Sequence, residues 1–232
     1  MEKDVIIACD FATGNETLDF LGGFSGRKPF VKIGMELFYA EGPDIVRKIK
    51  DRGHRIFLDL KLHDIPNTVR KAMARLAELH VDITNVHAAG TSEMMRAALE
   101  GLTGPDGKRP LLIAVTQLTS TDQTALENEL LIKEPMESVV MHYAQNAANA
   151  GLDGVVCSPL EAYAVHRALG SGFLTVTPGV RFAGGEVGDQ KRVMTPSEAA
   201  KAGSDFIVMG RPITAAADPA EAYERALREF RT

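Results

Sequence analysis

Between Asp59 and Thr68 the chain reads Asp59-Leu60-Lys61-Leu62-His63-Asp64-Ile65-Pro66-Asn67-Thr68, with a lysine set between two aspartates where a strand passing into a helix needs no charge at all. Side chains alternate along a strand, so Ile56, Leu58 and Leu60 share one face and Phe57, Asp59 and Lys61 the other. If helices cover the sheet, Asp59 and Lys61 point inward, where an unpaired charge is strongly disfavoured. Carboxylates on either side of Lys61 favour its ammonium form, which suits it to donate a proton and to stabilise negative charge. Lys32, in the run Phe30 to Met35, supplies a second cation. Two other readings use the same residues. Asp59, Asp64 and His63 offer ligands to Mg²⁺, although the intervening lysine would repel the ion, and a salt-bridge network could simply tie strands together.

A second group of residues suits an anion. Pro178-Gly179-Val180-Arg181 and Gly210-Arg211-Pro212 each bring a glycine for close backbone approach and an arginine for bidentate contact with oxygens. Between them, Phe182-Ala183-Gly184-Gly185-Glu186-Val187-Gly188-Asp189-Gln190 is glycine-rich and lacks a hydrophobic period, which predicts a lid with Gln190 in reach of a ligand. The plainer alternative is that the glycines turn the chain and the arginines are surface groups.

Elements must carry these residues to one place. Apolar runs rich in Val, Ile and Phe recur at Val5 to Asp10, Phe30 to Met35, Ile56 to Lys61, Ile83 to His87, Leu111 to Thr116, Gly154 to Ser158, Leu174 to Pro178 and Phe206 to Arg211. Segments of helical period separate them, such as Val69, Met73, Leu76 and Leu79. Strand-then-helix repetition predicts an α/β fold, a (β/α)₈ TIM barrel, occupying 1–232 as one domain. Active sites of such barrels lie at the carboxyl ends of the strands, with phosphate after the seventh and eighth. Asp10, Lys32, Asp59, Lys61, His87, Thr116 to Ser120, Ser158, Pro178 to Arg181 and Gly210 to Pro212 all fall there. The connection Asp122 to Pro135 is longer than a barrel needs and predicts a short helix and loop at the mouth. His63 reads as a helix-entry residue before Pro66, and His87 as a packed rim histidine.

Composition narrows the class. The chain has 232 residues, 45% hydrophobic and 25% charged, with a net charge of −5. A pI near 5.7 argues against nucleic acid or an anionic membrane as partner, since both need a basic surface. Cys9 and Cys157 are the only cysteines and sit in apolar runs, which predicts buried free thiols and a cytoplasmic setting. Met1-Glu2-Lys3-Asp4 runs straight into a strand, and no apolar stretch is long enough to span a membrane, so a soluble, unsecreted protein is expected.

The run Phe57 to Val69 resembles the orotidine 5′-phosphate decarboxylase family, supported by Ala8-Cys9-Asp10, Val31-Lys32-Ile33-Gly34, Val86-His87-Ala88, Leu118-Thr119-Ser120, Thr177 to Arg181, Gly188-Asp189-Gln190 and Met209 to Ile213. Asp-x-Lys-x-x-Asp alone is shared with Mg²⁺-using sugar-phosphate decarboxylases and aldolases of the same superfamily, and the resemblance implies that Lys32 separates this chain from them. It implies a cofactor-free, metal-free decarboxylase converting orotidine 5′-monophosphate to uridine 5′-monophosphate, with Lys32, Asp59, Lys61 and Asp64 as the reactive array and Lys61 protonating the carbanion. Asp10, Lys32, Asp64 and Thr68 would bind ribose, Thr119 and Ser120 the pyrimidine, Gln190 and Arg211 the phosphate, and Arg181 either the phosphate or the lid, with Pro178 and Gly210 lining the site. The resemblance also implies a homodimer with sites at the interface, where Asp64 reaches across. Cys9, where leucine is common, and Thr91, where a second glycine is frequent, depart from the family pattern without touching the motif. A phosphate-binding module without turnover would keep Arg181 and Arg211 but need neither Asp59 nor Lys61.

Overall fold

A computed structural model of the chain describes residues 3–24, 26–184 and 193–232. Among these, eight parallel strands close into a barrel in sequence order, β8 pairing back onto β1. They are β1 (Asp4–Ala8), β2 (Phe30–Gly34), β3 (Ile56–Leu62), β4 (Ile83–His87), β5 (Leu111–Val115), β6 (Gly154–Val156), β7 (Leu174–Thr177) and β8 (Phe206–Met209). The helices that wrap them are α1 (Gly14–Gly22), α2 (Met35–Glu41), α3 (Pro43–Asp51), α4 (Pro66–Ala77), α5 (Thr91–Leu102), α6 (Gln123–Asn128), α7 (Met136–Asn149), α8 (Pro159–Leu169), α9 (Pro196–Lys201), α10 (Arg211–Thr214) and α11 (Pro219–Arg231). A short 3₁₀ turn, Ala88–Gly90, follows β4. Several starts carry a side-chain cap: Thr13 on α1, Asp122 on α6, Asp218 on α11, and reciprocal Ser/Thr–Glu boxes at Ser158–Glu161 and Thr195–Glu198.

Alternation along each strand divides the core in two. Ile6, Ala8, Phe30, Phe57, Ile83, Ile113, Leu174, Val176, Phe206 and Val208 fill the barrel, with Phe30 and Phe206 edge to face at 5.9 Å. Val5, Ile7, Ile33, Ile56, Leu58, Leu60 and their counterparts pack outward against the helices. Phe57 inward with Ile56 and Leu58 outward is the division expected for the third strand, and it continues to Asp59. The apolar plug occupies the barrel's lower part, and two positions beyond its Ala8, Phe30, Phe57 and Ile83 the chain sets Asp10, Lys32, Asp59 and Asn85 at the upper end. No helix among the described residues is long and apolar enough to cross a membrane.

Cys9 and Cys157 are both buried and form no disulfide. Burial pushes the Cys9 thiol up to about 12, which makes it a small apolar packing group at neutral pH. The long connection after β5 forms α6, as expected, and a loop whose Leu130 and Leu131 are exposed. Gln123 closes this loop by accepting the Met136 N–H at 2.8 Å.

Candidate active site

Four alternating charges cross the carboxyl end of β1 to β3. Asp10 lies two residues beyond β1 and accepts from Lys32 Nζ at 2.9 Å. Lys32 Nζ stands 3.6 Å from Asp59 Oδ2, and Lys61 Nζ is 2.7 Å from Asp59 Oδ1. Asp59, only 7% exposed, thus has an ammonium on each oxygen. Its burial alone would raise the carboxyl pKa, but Lys32, Lys61 and the hydrogen bonds from Lys61 and Asn85 outweigh it and hold the group below its ordinary value. Burial likewise opposes charge on Lys32, and Asp59 and Asp10 reverse the balance, so that its pKa is raised. The array is therefore fully ionised at neutral pH at both inner positions.

Asn85 was not among the residues singled out from sequence. It is fully buried on β4; its Nδ2 donates to Asp59 Oδ1 at 2.7 Å, and its Oδ1 accepts the Lys61 backbone N–H at 2.8 Å. The signal was available, because Ile83 lies on the inner face of β4 and period two puts Asn85 there as well.

Two cavities adjoin the array. One, of about 240 Å³, is lined by Lys32, Phe57, Asp59, Lys61, Val115, Gln117, Leu118, Thr119, Ser120, Val156, Cys157, Pro178 and Val208. The other, of about 530 Å³, is lined by Ala8, Asp10, Lys32, Pro178, Gly179, Arg181, Val208, Gly210, Arg211 and Thr214. Lys32, Pro178 and Val208 belong to both, so the two form one trough with Asp59 and Lys61 at one end, Asp10 beside the arginines at the other, and Lys32 between. Gly179 takes φ +81°, a conformation that glycine adopts without strain. Gly210 differs: a Cβ there would meet Ala8 only at 3.5 Å, so the protein side leaves room, and any need for glycine comes from the trough side.

The structure brings together Asp10, Lys32, Asp59, Lys61, Thr119, Ser120, Pro178, Arg181, Gly210 and Arg211. Asp64 and Thr68 line neither cavity; both are exposed, and Asp64 Oδ1 accepts the Ile65 N–H at 2.7 Å at the entry to α4. Gln190 and most of the expected lid lie outside the described residues. Thr214, one turn beyond Arg211, is a wall residue that sequence reasoning did not single out, and Gln117 falls within the expected rim span Thr116 to Ser120. His63 and His87 face each other at the rim with ring centroids 5.7 Å apart. Burial, with His63 and Lys61 nearby, holds His87 below the ordinary histidine pKa.

Fold and site together define a (β/α)₈-barrel enzyme with a lysine–aspartate–lysine chain, centred on a buried aspartate, in an arginine-lined trough. Within that class, the chain belongs to the Orotidine 5′-phosphate decarboxylase / HUMPS family, whose model matches residues 3–226. It is 56% identical to an orotidine 5′-phosphate decarboxylase of Geobacillus sp. (strain WCH70), covering 100% of this chain and 98% of that protein. It is 57% identical to one of Enterococcus faecalis, covering 99% of each. Among solved structures, orotidine 5′-phosphate decarboxylase from Lactobacillus acidophilus is similar over 100% of both chains, with a TM-score of 0.89 and 42% identity. The enzyme of that name from Pyrococcus horikoshii OT3, at 24% identity and a TM-score of 0.77 over 98% of this chain and 99% of that chain, is a likeness of fold.

Proposed function

We infer that this chain converts orotidine 5′-monophosphate to uridine 5′-monophosphate and carbon dioxide, without a cofactor or metal, in pyrimidine synthesis. The observation that carries this reading is Lys61 Nζ, held 2.7 Å from Asp59 in the wall of a cavity that continues to the arginines. Breaking the bond between ring carbon and carboxyl carbon leaves an electron pair in the ring plane, where no π-system delocalises it. Stabilisation must then be electrostatic, and an ammonium about 3 Å away in a water-poor site acts far more strongly than in bulk water. Lys61 passes its proton to that carbon, giving the uracil ring, and regains one from solvent after product leaves. Asp59 stands against the departing carboxylate; two such charges repel by about 4 kcal/mol at 4 Å and an effective dielectric near 20, and the repulsion vanishes as neutral carbon dioxide forms.

Binding at the far end offsets that repulsion. Phosphate held by Arg211, Arg181, Gly210 and, from the lid, Gln190 supplies binding energy remote from the reacting carbon. Asp10 and Lys32 take ribose hydroxyls, Thr119 and Ser120 the pyrimidine, and Pro178 packs between the two ends. Asp64 and Thr68, exposed and absent from the lining of either cavity, suit a homodimer in which Asp64 reaches into the partner's site to bind ribose with Thr68. Two buried cysteines without a disulfide are compatible with a reducing cytoplasm. Against Mg²⁺-assisted chemistry on the same barrel, a cation at Asp59 would meet an ammonium at each oxygen.

Mixing the protein with orotidine 5′-monophosphate should remove the orotate absorbance catalytically. Lys61→Ala should lower kcat by about 10³-fold or more while uridine 5′-monophosphate still binds. Turnover at the parent rate in that variant would remove Lys61 from the chemistry, and binding without any absorbance loss in the parent would favour a non-catalytic phosphate module.

A further inference from the structure

β3 and β4 lose register where the chemistry sits. Leu58 pairs with Thr84 and Leu62 with Val86, so Asp59, Leu60 and Lys61 stand against the single residue Asn85. Lys61 has φ +50°, a left-handed conformation that costs a lysine energy and that a regular strand would not impose. Its N–H therefore lacks an ordinary ladder partner, and Asn85 Oδ1 takes that hydrogen at 2.8 Å. The amide's orientation is fixed by its partners, because the Lys61 N–H can only donate and the Asp59 carboxylate can only accept. With Lys61 Nζ on the same Asp59 oxygen, three side chains and one backbone N–H form a closed ring.

We propose that Asn85 is a positioning residue for the decarboxylation: it locks the bulge that aims Lys61 and holds Asp59 as the carboxylate facing it. This rests on the reading of the site as a decarboxylase. Asn85 lines neither cavity and so acts on substrate only through Asp59 and Lys61.

Asn85→Ala removes both bonds. It should lower kcat about 100-fold, the scale of a roughly 1 Å misplacement, with KM and uridine 5′-monophosphate affinity within about threefold. Asn85→Asp keeps an oxygen for the Lys61 N–H but sets a second carboxyl against Asp59. The charged or titratable groups around that pair are Lys32 on β2, Asp59 and Lys61 on β3, and His87 on β4. Two carboxyls in contact share one proton, and the protonated pair reproduces the amide, with O–H donating to Asp59 and the other oxygen accepting from Lys61. Activity of Asn85→Asp should thus fall as pH rises between 5 and 9, relative to the parent at each pH, while Asn85→Ala stays uniformly low. A group that only filled space would not produce this divergence. Parent-level kcat in a folded Asn85→Ala overturns the proposal; should Asn85→Ala not fold, an Asn85→Asp profile parallel to the parent's overturns it. Turnover by the parent in the same assay separates this failure from failure of the decarboxylase reading.

Discussion

Gly34 ends β2 and has no side chain, and the space a methyl would occupy is already claimed by the array. A Cβ there would lie 3.0 Å from Lys32 Nζ and 3.1 Å from Asp10 Oδ1. Both atoms are the tips of flexible side chains, so the backbone tolerates the change while the ion pair moves by a few tenths of an ångström. The extended φ of −90° suits alanine, and replacing glycine at a compatible position restricts the unfolded chain and favours folding by about 0.4–1 kcal/mol. Gly34→Ala should therefore leave Tm unchanged or slightly raised while kcat falls about tenfold, since small displacements of reacting groups carry large rate penalties. Thermal melts and steady-state kinetics on one preparation check both halves. A lowered Tm with normal kcat would make Gly34 a framework residue.

At the scale of elements, α4 carries the load behind the reactive strand, because it follows β3 directly and packs on α5. Gly101 of α5 makes that packing close: a Cβ would overlap the Arg70 carbonyl oxygen of α4. This neighbour is helix backbone and cannot swing aside, so Gly101→Ala must push the helices apart, at about 1–3 kcal/mol by analogy with overpacked cores. The denaturant midpoint should fall accordingly, whereas Gly22→Ala, with nothing within 4 Å of the new methyl, should not lower it. Equal midpoints for Gly101→Ala and the parent would mean that the helix pair is not close-packed there. Strand positions were legible in the sequence because the strands are short runs dominated by apolar and β-branched residues; at several of them, as with Thr116 or Ser158, the last one or two residues of the run have already turned into the rim loops, whereas β4 ends as expected and β3 continues to Leu62. Lys32, Asp59 and Arg211 were legible as rim residues for the same reason. The bulge opposite Asn85 was not, because register is a property of two strands and neither β3 nor β4 alone contains it. Nor does the sequence reveal that the two cavities merge at Lys32, Pro178 and Val208, which depends on the barrel closing.

The whole molecule carries its pH sensitivity away from the charge array. Asp59 titrates below its ordinary 3.8 and Lys32 above its ordinary 10.5, so neither changes protonation between pH 5 and 9. Asp59 contributes stability that is lost only as pH falls through its depressed folded value, and Lys32 stability lost only as pH rises through its raised one. His54 behaves differently. It precedes β3 at the amino-terminal end of the barrel, is 2% exposed, and has Nδ1 2.9 Å from the Pro29 carbonyl oxygen. Burial lowers its pKa below the ordinary 6.5 despite that hydrogen bond, and Lys28 and Arg52 push the same way. Below pH 6.5 the unfolded chain takes up a proton on this histidine that the native state resists, so the unfolded state binds more protons and native stability declines as pH falls. The slope contributed by His54 is at most about 1.4 kcal/mol per pH unit, flattening once pH drops below the folded value. Denaturant midpoints of the parent should thus decrease from pH 7 to pH 5. His54→Asn, whose amide N–H can replace Nδ1–H toward Pro29 without titrating, should show a shallower decrease over the same interval. Parallel curves for the two proteins would assign the acid sensitivity to other groups, His87 first among them, because burial at the rim holds it neutral as well.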